Sequence, residues 1–121
     1  MMRKLTEKFL EKLMTKINTI MHAYYEEAPK TASFPYGVVP TLSITPLDYG
    51  YQCLFDIEIY INELSNSDVE KLCDDLRVGL DGYHYNDNDV SFHIGFESQY
   101  LTKQNEQDLV MRKVTFIARI F

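Results

Sequence analysis

The sequence predicts an α+β domain, with a mainly antiparallel sheet of about four or five strands covered by two helices. Three patterns predict it. Two segments repeat apolar residues at three- and four-residue steps, the period of a helix with one buried stripe. The segment Tyr51 to Asn62 alternates at a period of two, which marks a strand with one buried and one wet face. The connections are short and rich in Pro, Gly, Asp and Asn, so neighbouring strands are expected to pair as hairpins. A chain of 121 residues suits a single domain over residues 1–121.

The first helix is expected from about Arg3 to Tyr25. Leu5, Phe9, Leu13, Ile17 (or Met14), Ile20, Met21 and Tyr24 form its stripe, with no Gly or Pro before Pro29. Lys4, Lys8, Lys12 and Lys16 form a second row at four-residue spacing. That row reads either as a docking face for an acidic partner or phosphate backbone, or as a solvated face; the interleaved Glu7 and Glu11 favour the second. A loop, Glu26 to Ser33, leads to Phe34–Pro40, where Pro35 and Pro40 limit any strand to a short piece or an edge. Thr41 to Thr45 alternates with Leu42 and Ile44 on one side, and Pro46, Asp48 and Gly50 supply a turn.

The long strand follows. Tyr51, Cys53, Phe55, Ile57, Ile59 and Ile61 point one way, and Gln52, Asp56, Glu58 and Asn62 the other, with Leu54 and Tyr60 as exceptions. Its length, about twelve residues, exceeds the usual five or six, so it is a candidate to project beyond its own core and touch another subunit. Ser67-Asp68-Val69-Glu70 has the capping-box pattern and opens a helix with Val69, Leu72, Cys73, Leu76 and Leu80 on one stripe, closed by Asp81-Gly82. Tyr83–Tyr85, the turn Asn86–Asp89 and the run Val90, Phe92, Ile94, Phe96 read as strand, turn, strand. The polar stretch Ser98 to Asp108 reads as a long hairpin loop or an arm. Leu109 to Phe121 closes the chain as a strand carrying Val110, Val114, Phe116, Ala118 and Ile120 on one face.

Composition excludes several classes. At 45% hydrophobic and 25% charged residues, with a 13% aromatic share, the chain has the apolar content that disordered segments lack. The longest uncharged stretch, Thr31 to Leu47, holds three prolines and is no membrane span, and the charged N-terminus MMRKLTEKFLEKLM is no secretory signal. Two cysteines, Cys53 and Cys73, make no disulfide framework and fall on apolar faces, so both are expected to be reduced core thiols. The net charge of -6 is unevenly spread. Residues 1–30 carry six basic and four acidic side chains, the remainder six and fourteen, so the helix-bearing end is mildly basic and the rest acidic.

Catalytic constellations are thin. His22 lies on the first helix, while His84, Asp87, Asp89 and His93 cluster at an acidic turn whose spacing matches no compact metal-ligand pattern. DGYHYNDNDV also lacks the Gly and Glu that a calcium-binding loop needs. Asp56 and Glu58, two residues apart on one strand face, would lie about 7 Å from one another, a separation compatible with paired-carboxylate chemistry but commoner on a wet strand face. No nucleophile elbow and no phosphate-binding glycine motif occurs. A non-enzymatic protein is expected, with no cofactor and no metal. The alternative from residues alone is a small ligand- or metal-binding regulatory domain using the His84–His93 turn. A nucleic-acid binder using the lysine row ranks below it, because aromatic and basic residues do not interleave there.

Three stretches in order carry a family resemblance. They are a leading helix ending in Tyr24-Tyr25 followed by Ala28-Pro29, Phe34-Pro35-Tyr36 and Val38-Val39; the run FDIEIYINELSNSDVEKLCDDL with Leu80; and the closing Met111-Arg112-Lys113-Val114-Thr115-Phe116. In these the chain resembles the tail completion or tail terminator proteins (minor tail, head–tail joining) of long-tailed bacteriophages and prophages. The resemblance implies a structural role in the virion, assembled in the bacterial host cytoplasm. It also implies a homo-oligomeric ring, typically a hexamer, that contacts the tail-tube protein and the head connector proteins. DNA would pass through the ring without sequence-specific recognition, and no membrane partner is implied. Phe34 and Tyr36, where the chain enters the sheet, Asp56, Glu58 and Tyr60 on the long strand, and Tyr100, Leu101 and Lys103 in the polar stretch are the expected interface residues. For the Phe34-Pro35-Tyr36 run, packing of its own aromatic rings is preferred over direct partner contact.

Overall fold

The computed structural model describes residues 2–62, 66–103 and 109–121. Its elements run α1 (Met2–Asn18), β1 (Ala23–Tyr25), β2 (Tyr36–Val39), β3 (Leu42–Leu47), β4 (Gly50–Asn62), α2 (Asn66–Leu80), β5 (His84–Asn86), β6 (Ser91–Lys103) and β7 (Leu109–Ile120). The seven strands form one sheet in the order β1-β2-β4-β7-β6-β5, with β3 also paired to β4. Every pairing is antiparallel except β1 with β2.

The alternation of β4 sets the two faces. Cys53, Phe55, Ile57, Ile59 and Ile61 are buried on one side, opposite Val114, Phe116, Ala118 and Ile120 of β7, and Phe92 and Ile94 of β6 extend the same face. Both helices lie on that side. From α1, Phe9 enters the layer with its ring 4.9 Å from Phe92 and 6.5 Å from Phe55, flanked by Leu13 and Ile17. From α2, Val69, Cys73, Leu76 and Leu80 are fully buried and Leu72 packs at the margin. Each buried side chain of this size contributes about 1.5–3 kcal/mol, so stability resides in this single layer. Arg112, on the helix side of β7, donates through Nε and Nη2 to Glu70 of α2 and ties that helix to the strand. Glu70 therefore serves a cross-element pair. The side chains of Ser67 and Asp68 in the expected capping box lie outside the described residues.

Three expectations are corrected. The sheet has seven strands rather than four or five and includes a parallel pair, because β1 lies where the apolar spacing continues the first helix and β2 is a short piece between two prolines. The first helix stops at Asn18 rather than Tyr25. Asn18 closes it by donating through Nδ2 to the carbonyls of Met14 (2.9 Å) and Ala23 (3.2 Å) and accepting at Oδ1 from the Ala23 N–H (3.1 Å). The following Ala23–Tyr25 is then free to pair with β2. Ser98 to Lys103 is strand rather than loop, in register with Thr115 to Val110 of β7, and 104–108 lie outside the described residues.

Pro35 and Pro40 bracket β2, and Pro46 falls on β3, whose far side no described strand pairs. The β3–β4 hairpin turns on Asp48 and Tyr49 and requires glycine next. Gly50 has φ 137°, and a Cβ there would stand 2.0 Å from the Ile120 carbonyl oxygen. Gly82 ends α2 at φ 81° in open space. Gly50→Ala should therefore destabilise by at least about 2 kcal/mol, and Gly82→Ala by about 1 kcal/mol. Urea denaturation of both variants checks the ranking, and equal losses would contradict it.

Candidate interface on the open face of the sheet

Neither helix covers the other face of the sheet. Gln52, Leu54, Asp56, Glu58 and Tyr60 of β4 alternate onto it, beside Met111, Lys113, Thr115, Ile117 and Arg119 of β7. Its charges are matched across strands. Thr115 Oγ1 donates to Asp56 Oδ1 at 2.5 Å, while Lys113 Nζ stands 3.7 Å from Glu58 Oε2. The Tyr60 hydroxyl donates to Glu58 Oε1 at 3.1 Å. Asp56 and Glu58 thus each hold a partner on β7, and the two carboxylates work as rungs between strands rather than as a facing acid pair.

At the β1–β2 end the face becomes aromatic. Tyr36 lies opposite Tyr60 in the ladder and stacks on it with centroids 5.3 Å apart and planes 20° apart. Phe34 stacks on the far side of Tyr36 at 5.4 Å, Tyr24 meets Tyr36 edge-on at 6.1 Å, and His22 lies 5.4 Å from Tyr24. Such contacts add about 0.5–1.5 kcal/mol each beyond area. Tyr36 and Tyr60 are half-buried in this stack, whereas Phe34 at its end is 45% exposed. The cluster unites three of the residues expected at an interface. The apolar spacing places His22 and Tyr24 on the first helix; the Ala23-Tyr24-Tyr25 run of strand-favouring tyrosines after Asn18 is the signal against it.

Two clefts flank the stack. One, of about 310 Å³, opens between His22, Tyr24, Thr31, Ser33 and Phe34, and the other, of about 260 Å³, between Glu26, Glu27, Tyr36, Glu58 and Tyr60. The chain reaches them through a tight reversal at Glu26, where φ is 71° and the Glu27 N–H donates to the Tyr25 carbonyl at 2.9 Å. A three-residue turn of this hand is strained for a side-chain-bearing residue, and it ends β1 at Tyr25.

Tyr100, Leu101 and Lys103 sit at the opposite side of the sheet, in the last part of β6; their side chains fall outside the described residues. One cross-strand row nevertheless links the two groups. Tyr24 pairs with Val38, Val38 with Glu58, Glu58 with Lys113, and Lys113 with Tyr100.

The other expected clusters serve the fold. Lys8 lies 3.9 Å from Asp89, Lys12 Nζ stands 5.8 Å over the Tyr85 ring, and Lys16 Nζ stands 4.6 Å over Tyr83. Lys8, Lys12 and Lys16 therefore lie along the β5–β6 hairpin instead of forming a merely solvated face, and the Lys4 side chain lies outside the described residues. Asp87 accepts from the Tyr85 hydroxyl at 2.6 Å and from the N–H groups of Asp89 (2.7 Å) and Val90 (2.8 Å). The His84 and His93 rings face one another across the hairpin at 6.4 Å. No three His, Cys, Asp or Glu side chains converge as metal ligands among the described residues.

Two titrations follow from this geometry. Burial, then the Glu58 charge and hydrogen bond, push the Tyr60 phenol up to about 12. Its contribution to stability is full below the ordinary phenol value near 10 and is lost as pH rises toward 12. Tyr60→Phe should flatten that alkaline loss, measured as denaturation midpoints at pH 9 and 11.5. The Tyr85 hydroxyl, and then the two N–H groups, hold Asp87 down at about 2. Its contribution is full above the ordinary carboxyl value and is lost as pH falls toward 2. A carbon-detected NMR titration should place Asp87 near pH 2 in the native chain and distinctly higher in Tyr85→Phe.

No family model and no curated protein matches this chain. Solved structures do match in fold. A chain of the structure described as "Virion of native gene transfer agent (GTA) particle" superposes with a TM-score of 0.66 at 13% identity, over 89% of this chain and 83% of that one. The likeness is one of fold.

Proposed function

We propose that this chain is a non-enzymatic structural protein of a phage or phage-like particle, forming a ring that terminates the tail tube and joins tail to head. The observation that carries the reading is the match over most of both chains to a protein of a gene transfer agent virion. The open face supports it in physical terms. Glu58 and Asp56 are paired within the sheet, so neither carboxylate is left poised for acid–base work. Exposed apolar side chains that neighbours could cover include Phe34 beside β1 and Leu47 and Tyr49 of the β3–β4 hairpin. A ring of identical copies needs two different surfaces on each copy, and the two groups of expected interface residues lie on opposite sides of one sheet.

Deleting the coding sequence from the phage or prophage that carries it tests the reading. Separate filled heads and unattached tails are expected under the electron microscope, with infectious particles reduced at least a hundredfold and restored by supplying the chain in trans. Normally joined particles at an undiminished titre would overturn it.

A further inference from the structure

We infer that the open face of the sheet is a two-fold contact with a second copy of this chain, centred on Leu54 and Ile117. The contact uses the face and leaves both sides of the sheet free, so it stands apart from the ring reading. Its centre is the cross-strand row Ser43–Leu54–Ile117–Gly95. Leu54 is 42% exposed and Ile117 is partly exposed. Gly95 has no left-handed backbone, and a Cβ there would meet nothing nearer than Ile117 Cγ2 at 3.8 Å. The chain's own packing therefore does not require glycine at this mid-strand position, where its lack of a side chain leaves Ile117 open to an approaching surface.

Charge on either side of this row is opposite in sign. Two residues along β4 in one direction lies the Asp56–Thr115 pair, and two residues in the other lies Gln52–Arg119. Arg119 is exposed and forms no ion pair among the described residues, while Asp56 is held by a neutral hydroxyl, Thr115 Oγ1. A two-fold axis lying across the strands at Leu54 and Ile117 exchanges the two ends. It sets Arg119 of each copy over the Asp56–Thr115 pair of the other. Sheets stacked face to face lie about 10 Å apart, a gap that an arginine side chain spans. Each contact thus gains two ion pairs around an apolar centre.

The next levels agree. Gly50, beside Phe121, lies four residues from Leu54 along β4, and Glu58 lies four residues from it the other way. The same two-fold axis brings the exposed Phe121 of one copy to the level of the cleft of about 260 Å³ that Tyr36, Val38 and Tyr60 line in the other. The helix side of a neighbour fits this face less well. Its exposed residues include Glu7, Glu11, Glu70, Asp74 and Asp75, and among the described residues Val78 is the one exposed large apolar side chain on either helix. The occupant is therefore the same face of a second copy, which carries both the apolar centre and the complementary charge, and the contact is isologous.

Sedimentation of the purified chain from dilute to concentrated solution tests the contact. A dimer is expected, weakened at least tenfold by Ile117→Glu. Arg119→Asp and Asp56→Arg should each weaken it, and the chain carrying both, with its ion pairs reversed, should regain most of the affinity. Because Asp56→Arg also removes the bond to Thr115, cross-linking supplies a second readout. Leu54 lies next to the axis and faces its own copy, so Leu54→Cys alone should give covalent dimer with a short bismaleimide, at least tenfold above exposed Val78→Cys. Cys53 and Cys73 are fully buried, with their thiols pushed up by burial to about 12 and about 11, and stay silent. A strict monomer, an oligomer indifferent to Ile117→Glu, or cross-linking no higher than the Val78→Cys control would overturn the contact. A dimer from a chain whose deletion leaves particles normally joined would retain the contact and remove the virion reading, and a strict monomer whose deletion leaves heads and tails separate would remove the contact alone.

Discussion

The rest of the molecule depends on the ladder between β4 and β7. It joins Tyr51–Asn62 to Leu109–Ile120 without a break and stands at the centre of the sheet, so every other strand is attached to it directly or through one neighbour. On the helix side, Phe55 stacks on Phe116 at 5.6 Å and Phe9 comes down between Phe55 and Phe92. Both helices are spent on that side. The opposite face must then remain stable without cover, and it does so by pairing its polar groups across the same ladder: Asp56 with Thr115, Glu58 with Lys113.

One covered and one uncovered face give the chain the character of a building part. An antiparallel sheet tolerates water on one side when the residues there are satisfied, and cross-strand rungs accomplish this over the middle of β4. At the β1–β2 end, rungs give way to stacked rings and to a cleft rimmed by Glu26, Glu27 and Glu58. At the other side, the last part of β6 extends along β7 with no described strand outside it. The likeness to a gene transfer agent virion chain and these two unequal sides lead to the same proposal, a copy that fits between two others.

Much of this was legible in the sequence where one period acted alone. The stripe Val69, Leu72, Cys73, Leu76, Leu80 with Gly82 after it gave α2 and its end, and the alternation from Tyr51 gave β4 and the direction of each side chain. The helix limit at Asn18 was not legible, since Ile20, Met21 and Tyr24 continue the helical spacing; the stop comes from the Asn18 side chain, whose bonds to Met14 and Ala23 no periodicity records. The Ser98–Lys103 stretch looked like loop because both faces of a strand at the margin of a sheet can be polar. Of the expected interface residues, Phe34, Tyr36 and Tyr60 meet in one stack, and Asp56 and Glu58 turn to partners on β7 about 55 to 59 positions away in the chain. Lys12 and Lys16 read as solvated for the same reason: Tyr85 and Tyr83, which they cover, are distant in sequence.

The central claim is that each copy presents two different edges to its neighbours, and amide hydrogen exchange followed by mass spectrometry from dilute to concentrated protein tests it most directly. Assembly should slow exchange around Phe34 and Tyr36 at one side of the sheet and along Gln99–Leu101 at the other, together, while amides of the β4–β7 ladder, already protected, change little. Protection of only one of the two edges, or of the outer surface of α2 in place of both, would contradict the account.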